Sequence, residues 1–161
     1  MTVWNPWHGC HKYSEGCLHC YIRKGDAKRG ADTDSIVKTE KFAAVTERYI
    51  REKNAGAYKM KSGQLVYLCF TSDFLLEDAD EWRPEYWKMI KERQDLRFLF
   101  LTKRIDRFHE CMPEDWGTDY DHVTVGRTVE NRRTADIRLP VFDALPIRHK
   151  NIICQPMLDK M

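Results

Sequence analysis

The sequence predicts a single α/β domain on a mostly parallel sheet, either open or curved into a partial (β/α) barrel that stops after about five strands. Three observations lead there. Four short runs, at 65–70, 97–101, 123–125 and 151–154, are apolar on consecutive positions, as in strands covered on both faces. Their starts fall roughly 26 to 32 residues apart, about the length of a βαβ unit. Helix-like segments lie between them.

Taken in order, Thr2, Val3 and Trp4 form a first strand, and a loop at about 8–21 carries three cysteines. The stretch 24–63 is polar and basic; a helix is expected near 43–53 and a loop over 54–63. Pro84 suits the first turn of a helix ending near Arg93, with Tyr86, Trp87, Met89 and Ile90 as its apolar face. A shorter helix is expected over 104–111. In 130–145 an apolar face recurs, but Pro140 should break or restart the helix. By length, residues 1–161 make one domain.

Composition narrows the function classes. With 42% hydrophobic and 12% aromatic residues the chain is globular rather than disordered. A formal charge of +2 points to no strong polyanion partner. No apolar run approaches the ~18 residues of a membrane span, and no charged-then-apolar leader opens the sequence. A reducing, cytoplasmic setting follows as the expectation, which turns the six cysteines toward metal or redox chemistry. Cys69 and Cys154 sit inside apolar runs and are expected to be buried.

The ends of the apolar runs are polar: Thr71, Ser72 and Asp73 follow one, Thr102, Lys103 and Arg104 the next, and Gly126 to Asn131 a third. Turn and capping roles account for any one of these positions. Three neighbouring strands ending this way favour a ligand site at the carboxyl rim of the sheet.

Cys10, Cys17 and Cys20 are spaced C-x6-C-x2-C. Three thiolates are one short of a closed tetrahedral zinc shell, and they leave one iron of a four-iron cluster open to a ligand. Gly9 and Gly16, each just before a cysteine, let the backbone approach a cluster closely. For zinc, His8, His11 or His19 would supply the fourth ligand. Spacing alone leaves iron–sulfur and zinc open.

The segment from Asn5 and Pro6 through Gly9 and Cys10 to Cys17, Cys20 and Tyr21 resembles the N-P-x-x-G-C and C-x-x-C-Y signature of spore photoproduct lyase-like radical S-adenosylmethionine proteins. It is closer still to a phage and prophage family of unknown function described by its three-cysteine motif. Phe70 to Phe74 with Glu77, Leu101 to Arg104, Val129 to Asn131 with Ala135, Asp136 and Arg138, and Cys154 to Leu158 resemble that family's later blocks. The resemblance implies a partial (β/α) barrel with a [4Fe-4S] cluster on Cys10, Cys17 and Cys20 and S-adenosylmethionine across the strand ends. It places Thr71, Ser72 and Asp73 near the methionine amino group, and Glu130 and Asn131 at ribose or substrate. Lys103 and Asp73 are the catalytic candidates. The activity it implies is reductive cleavage of S-adenosylmethionine and hydrogen abstraction from a nucleic-acid or nucleotide substrate, in the cytoplasm of a bacterial or phage-infected cell.

The competing expectation is a non-catalytic phage accessory or inhibitor protein with structural zinc or a cluster in the loop. Any exposed tryptophans among Trp4, Trp7, Trp82, Trp87 and Trp116 would anchor a host protein or nucleic acid, although most of the five are expected in the core. In either case no membrane partner is expected, and the C-terminal sheet edge is a surface for oligomer formation.

Overall fold

The computed structural model describes residues 2–51 and 53–159. Seven strands and four α-helices follow one another as β1 (Thr2–Trp4), β2 (Trp7–His8), α1 (Tyr21–Arg29), β3 (Val37–Lys38), β4 (Leu65–Leu68), α2 (Arg83–Glu92), β5 (Arg97–Thr102), α3 (Phe108–Cys111), β6 (Val123–Val129), α4 (Arg132–Ala144) and β7 (His149–Cys154). Short 3-10 turns at Glu15–His19, Glu77–Ala79 and Ile105–Arg107 complete the order.

The main sheet has the order β1-β4-β5-β6-β7, and every adjacent pair is parallel. Spatial order follows chain order, as successive β/α units produce. β1 and β7 are the two edges, so the sheet is open and no barrel is closed. β2 and β3 pair antiparallel as a separate two-stranded element.

One face of the sheet carries the core. Trp4, Leu68, Phe98, Phe100 and Val125 are buried there with Tyr86, Trp87 and Ile90 of α2, Phe108 of α3 and Phe142 of α4. Trp4 stacks on Tyr86 with centroids 4.1 Å apart, and Phe74 stacks on Phe100 at 4.3 Å. Each such side chain contributes about 1.5–3 kcal/mol by leaving water. The expectation of two covered faces fails. On the opposite face Val3 and Leu65 are 38% and 36% exposed, and Tyr67, Leu99, Leu101 and Thr124 are only half-buried. The register puts these residues together on the side where a closed barrel would have its interior.

Several elements differ from the sequence reading. No helix forms near 43–53: residues 41–46 are turns, and Arg48 bridges Tyr58 (Glu52 lies outside the described residues). Buried Arg93, just past α2, donates to the carbonyls of Val45 and Met60 and ties this segment to the core. α4 runs through Pro140 without a break. Pro140 is exposed, so the Asp136 carbonyl it leaves unpaired can turn to water. α1 has stop signals the reading passed over, Lys28 and Arg29 in the last turn and Gly30 at φ +68°. Cys69 is buried as expected, but Cys154 is exposed because β7 is an edge strand. Trp4, Trp7, Trp87 and Trp116 are core residues and Trp82 is partly buried, so the proposed tryptophan anchors are not available.

Candidate functional site

The loop bearing Cys10 is fastened to the end of β4 by short polar contacts. Asn5 Oδ1 accepts from the Thr71 amide at 3.3 Å, the Thr71 hydroxyl donates to the Trp7 carbonyl at 3.2 Å, and the Gly9 amide donates to the Thr71 carbonyl at 3.2 Å. Ser72 donates to the Gly9 carbonyl. Gly9 has φ +99°, and a Cβ there would lie 2.5 Å from the Ser35 carbonyl oxygen, so the position requires glycine. On the other flank Asp26 of α1 is fully buried, accepts from the Thr33 hydroxyl at 2.8 Å and meets His8 Nε2 at 3.0 Å and Arg29. Burial alone would raise its pKa, but the bonds from Thr33, His8 and Arg29 outweigh that and hold the carboxyl below its usual range.

Cys17 lies in the 3-10 turn Glu15–His19, and Cys20 is the N-cap of α1. Together with Cys10 they line a cavity of about 270 Å³ at the carboxyl ends of β4, β5 and β6. Thr71, Ser72, Asp73, Lys103 and Arg104 form part of its wall. The structure thus brings the three cysteines and the polar ends of two strands to one place.

The two residues that follow β5 point at two different sulfurs. Lys103 Nζ is 3.7 Å from Cys17 Sγ, and Arg104 Nη1 is 3.9 Å from Cys10 Sγ. The Tyr13 amide adds a third donor, 3.4 Å from Cys17 Sγ. Burial pushes the Cys17 thiol up, but the amide donors and the Lys103 charge prevail and its pKa is lowered. For Cys10 the balance is reversed. Burial and the Asp73 charge outweigh Arg104, and the thiol is pushed up to about 12.

Glu130 is fully buried behind the loop, where it pairs with Lys103, accepts from the Ser14 hydroxyl at 2.7 Å and lies 3.4 Å from Arg138. Desolvation raises its pKa, yet the bonds from Lys103 and Ser14 bring it below the usual carboxyl range. Asp73 is equally committed. Its oxygens accept from the Thr102 hydroxyl at 2.7 Å and from the amides of Lys103 at 2.9 Å and Leu75 at 3.0 Å. Both carboxylates brace the site from within. Asn131 is the N-cap of α4, accepting from the Thr134 amide at 2.8 Å in a capping box. Neither Glu130 nor Asn131 is among the cavity-lining residues.

A single metal ion needs all its ligands on one shell, about 2.0–2.3 Å from the metal. Among the described residues no three His, Cys, Asp or Glu converge that closely. Of the histidines near the loop, His8 is held by Asp26 and His11 lies between Asp34 and Asp78, while His19 lines the cavity. Three thiols along one cavity wall suit the donor chemistry of a multi-iron cluster, where each cysteine binds a different iron. Sequence reading gave no role to Ser14 or Arg138 and counted Arg104 only as one polar residue of the rim. The T-K-R run was the available signal, a second cation directly after the strand end beside Lys103.

Among the described residues no helix is long and apolar enough to cross a membrane. A family model described as "Protein of unknown function (DUF5131)" matches residues 1–161. No curated protein and no solved structure matches the chain.

Proposed function

The chain belongs to the DUF5131 family along residues 1–161, and from its cysteine loop and polar strand ends we propose that it is a radical S-adenosylmethionine iron–sulfur protein. Cys10, Cys17 and Cys20 would hold a [4Fe-4S] cluster. Such a cluster supplies the electron for reductive cleavage of S-adenosylmethionine, which yields methionine and a hydrogen-abstracting 5′-deoxyadenosyl group. The observation that carries the reading is the meeting of all three thiols with the polar ends of β4 and β5 in one cavity.

The chain's own residues divide the remaining work. Thr71 and Ser72 line the cavity; their hydroxyl protons go to the Trp7 and Gly9 carbonyls, and their oxygens would accept from the amino group of the methionine moiety. Asp73 and Glu130 orient the cations around them: Asp73 through the Lys103 amide, Glu130 through the Lys103 ammonium. Lys103 acts as a charge beside Cys17 rather than as a free substrate anchor, because Glu130 already holds it. In the basic run after the loop Arg23 pairs with Asp34 and Arg29 with Asp26, while Lys24 and Lys28 are exposed, a small number of charges for a polyanion. A nucleotide-sized substrate fits this distribution better than a duplex.

Anaerobic purification with iron and sulfide analysis tests the reading. About four irons per chain, with formation of 5′-deoxyadenosine from S-adenosylmethionine and dithionite, is the expected result. A colourless protein carrying one zinc and inert toward S-adenosylmethionine would overturn it in favour of a binding module.

A further inference from the structure

We infer that Lys103 and Arg104 set the reduction potential of the cluster by placing two cations against two of its cysteine ligands. The inference rests on the iron–sulfur reading above and concerns what this chain adds to it. The two residues are consecutive, yet their charged ends reach opposite parts of the cysteine loop, 3.7 Å from Cys17 Sγ and 3.9 Å from Cys10 Sγ. Neither is a free surface charge: the Arg104 side chain is 4% exposed and that of Lys103 19%.

Both are also fixed in place. Glu130 holds the Lys103 ammonium, while the His11 carbonyl accepts from Arg104 Nη2 at 3.2 Å. Arg104 Nε is buried without a hydrogen bond of good geometry, 3.3 Å from Glu77 Oε2, so part of the guanidinium's donor capacity is unspent. Carboxylates lie nearby and take part: Asp73 Oδ2 is 3.5 Å from Arg104 Nη1, although most of its hydrogen bonding goes to other donors. Asp73 accepts from Thr102 and two backbone amides, and Glu130 from Ser14 and Lys103. Each cation thus shares its charge with a carboxylate, Lys103 with Glu130 and Arg104 with Asp73, and removing the cation leaves its sulfur beside that carboxylate with one positive charge fewer.

Reduction adds one electron to the cluster and its thiolates. A cation within ~4 Å in a poorly solvated site stabilises the more negative state more than the oxidised one. The two residues therefore raise the potential, easing reduction by an external one-electron donor. An asymmetry follows as well, since contacts to a side-chain cation are found at Cys10 and Cys17 and the potential should respond to both.

The test is a mediated potentiometric titration of reconstituted protein with dithionite, with the reduced cluster read by electron paramagnetic resonance. Arg104→Gln and Lys103→Gln should each cut the reduced-to-oxidised ratio at fixed ambient potential about tenfold, a shift of about 59 mV for one electron. Arg104→Lys should restore most of the loss. Arg107→Gln, which removes a cation paired with Asp80 and not facing the sulfurs, should leave the potential in place. Iron content is measured for every variant, so that each potential comes from a loaded cluster. If Arg104→Gln does not load, Lys103→Gln carries the same comparison. Equal potentials in loaded wild type and the glutamine variants overturn the inference alone. Wild-type protein that takes up no iron overturns the cluster reading and the inference together.

Discussion

A Cβ at position 16 would lie 2.3 Å from Glu130 Oε1, so the cysteine loop reaches this buried carboxylate only because Gly16 has no side chain. Glu130 cannot retreat easily, since Ser14, Lys103 and Arg138 hold it from three sides. Gly16→Ala should therefore destabilise the protein by about 1–3 kcal/mol, the usual cost of overpacking. Urea denaturation checks this. Adding Glu130→Asp, one methylene shorter, should recover part of the loss. An unchanged midpoint in the single variant would show that the contact yields freely.

Five of the six cysteines should separate cleanly. Cys10→Ala, Cys17→Ala and Cys20→Ala are each expected to abolish iron binding, because all three line the cavity. Cys111→Ala should keep its iron and lose only packing, for this thiol is buried near α2 and α3. Cys69 is the sterner control. It borders the cavity and has φ +55°, but it is part of the buried core at the end of β4 rather than of the cysteine loop, so Cys69→Ala should also retain iron. Loss of iron from all five variants alike would mean that ligand and core cysteines have been confused.

Acid should undo the loop before the rest of the site. Asp26 and Glu130 both titrate lower in the folded chain than in the unfolded one. Carboxyls of this kind contribute stability that is complete above their unfolded pKa, about 4, and that is lost as pH falls through the folded value. Urea midpoints should stay level from about pH 7 to about pH 5 and drop steadily below about pH 4. Glu130→Gln should flatten that acid limb. A limb of the same slope in the variant would remove Glu130 from the explanation.

Asp26 ties α1 to β2 and to the turn at Thr33, so its charge matters more than its size. Asp26→Asn should cost about 1–3 kcal/mol, because a buried arrangement of donors loses its best acceptor. Thermal unfolding measures the loss. Thr33→Val should show a smaller effect in the same direction, as it removes one of the three partners.

Much of the architecture was readable because apolar runs and their spacing report strands directly. The runs at 65–70, 97–101, 123–125 and 151–154 all became parallel strands, and Pro84 sits at the start of α2 as expected. What escaped was decided by tertiary contacts. The turns at 41–46 depend on Arg93, about fifty positions away, and β2 pairs with β3 across α1. Cys154 has the same apolar neighbours a core cysteine would have; only the strand's place at the sheet edge exposes it. Within the site, the cysteines and the polar strand ends were legible as residue types. That Asp73, Glu130 and Asn131 are spent on internal bonds was not, because hydrogen-bond partners in space leave no trace in spacing.

The adjacency of Lys103 and Arg104 has a mechanical corollary. Sliding β5 by a single residue against β4 would carry these two side chains, which follow the strand directly, along with it by about 3.3 Å. Ammonium and guanidinium would then both miss their sulfurs, although nothing in the loop itself had changed. The cysteine loop's electrical surroundings are thus locked to strand alignment. A substitution that loosens Phe98 or Phe100, well away from any cysteine, should be felt there as a change in charge.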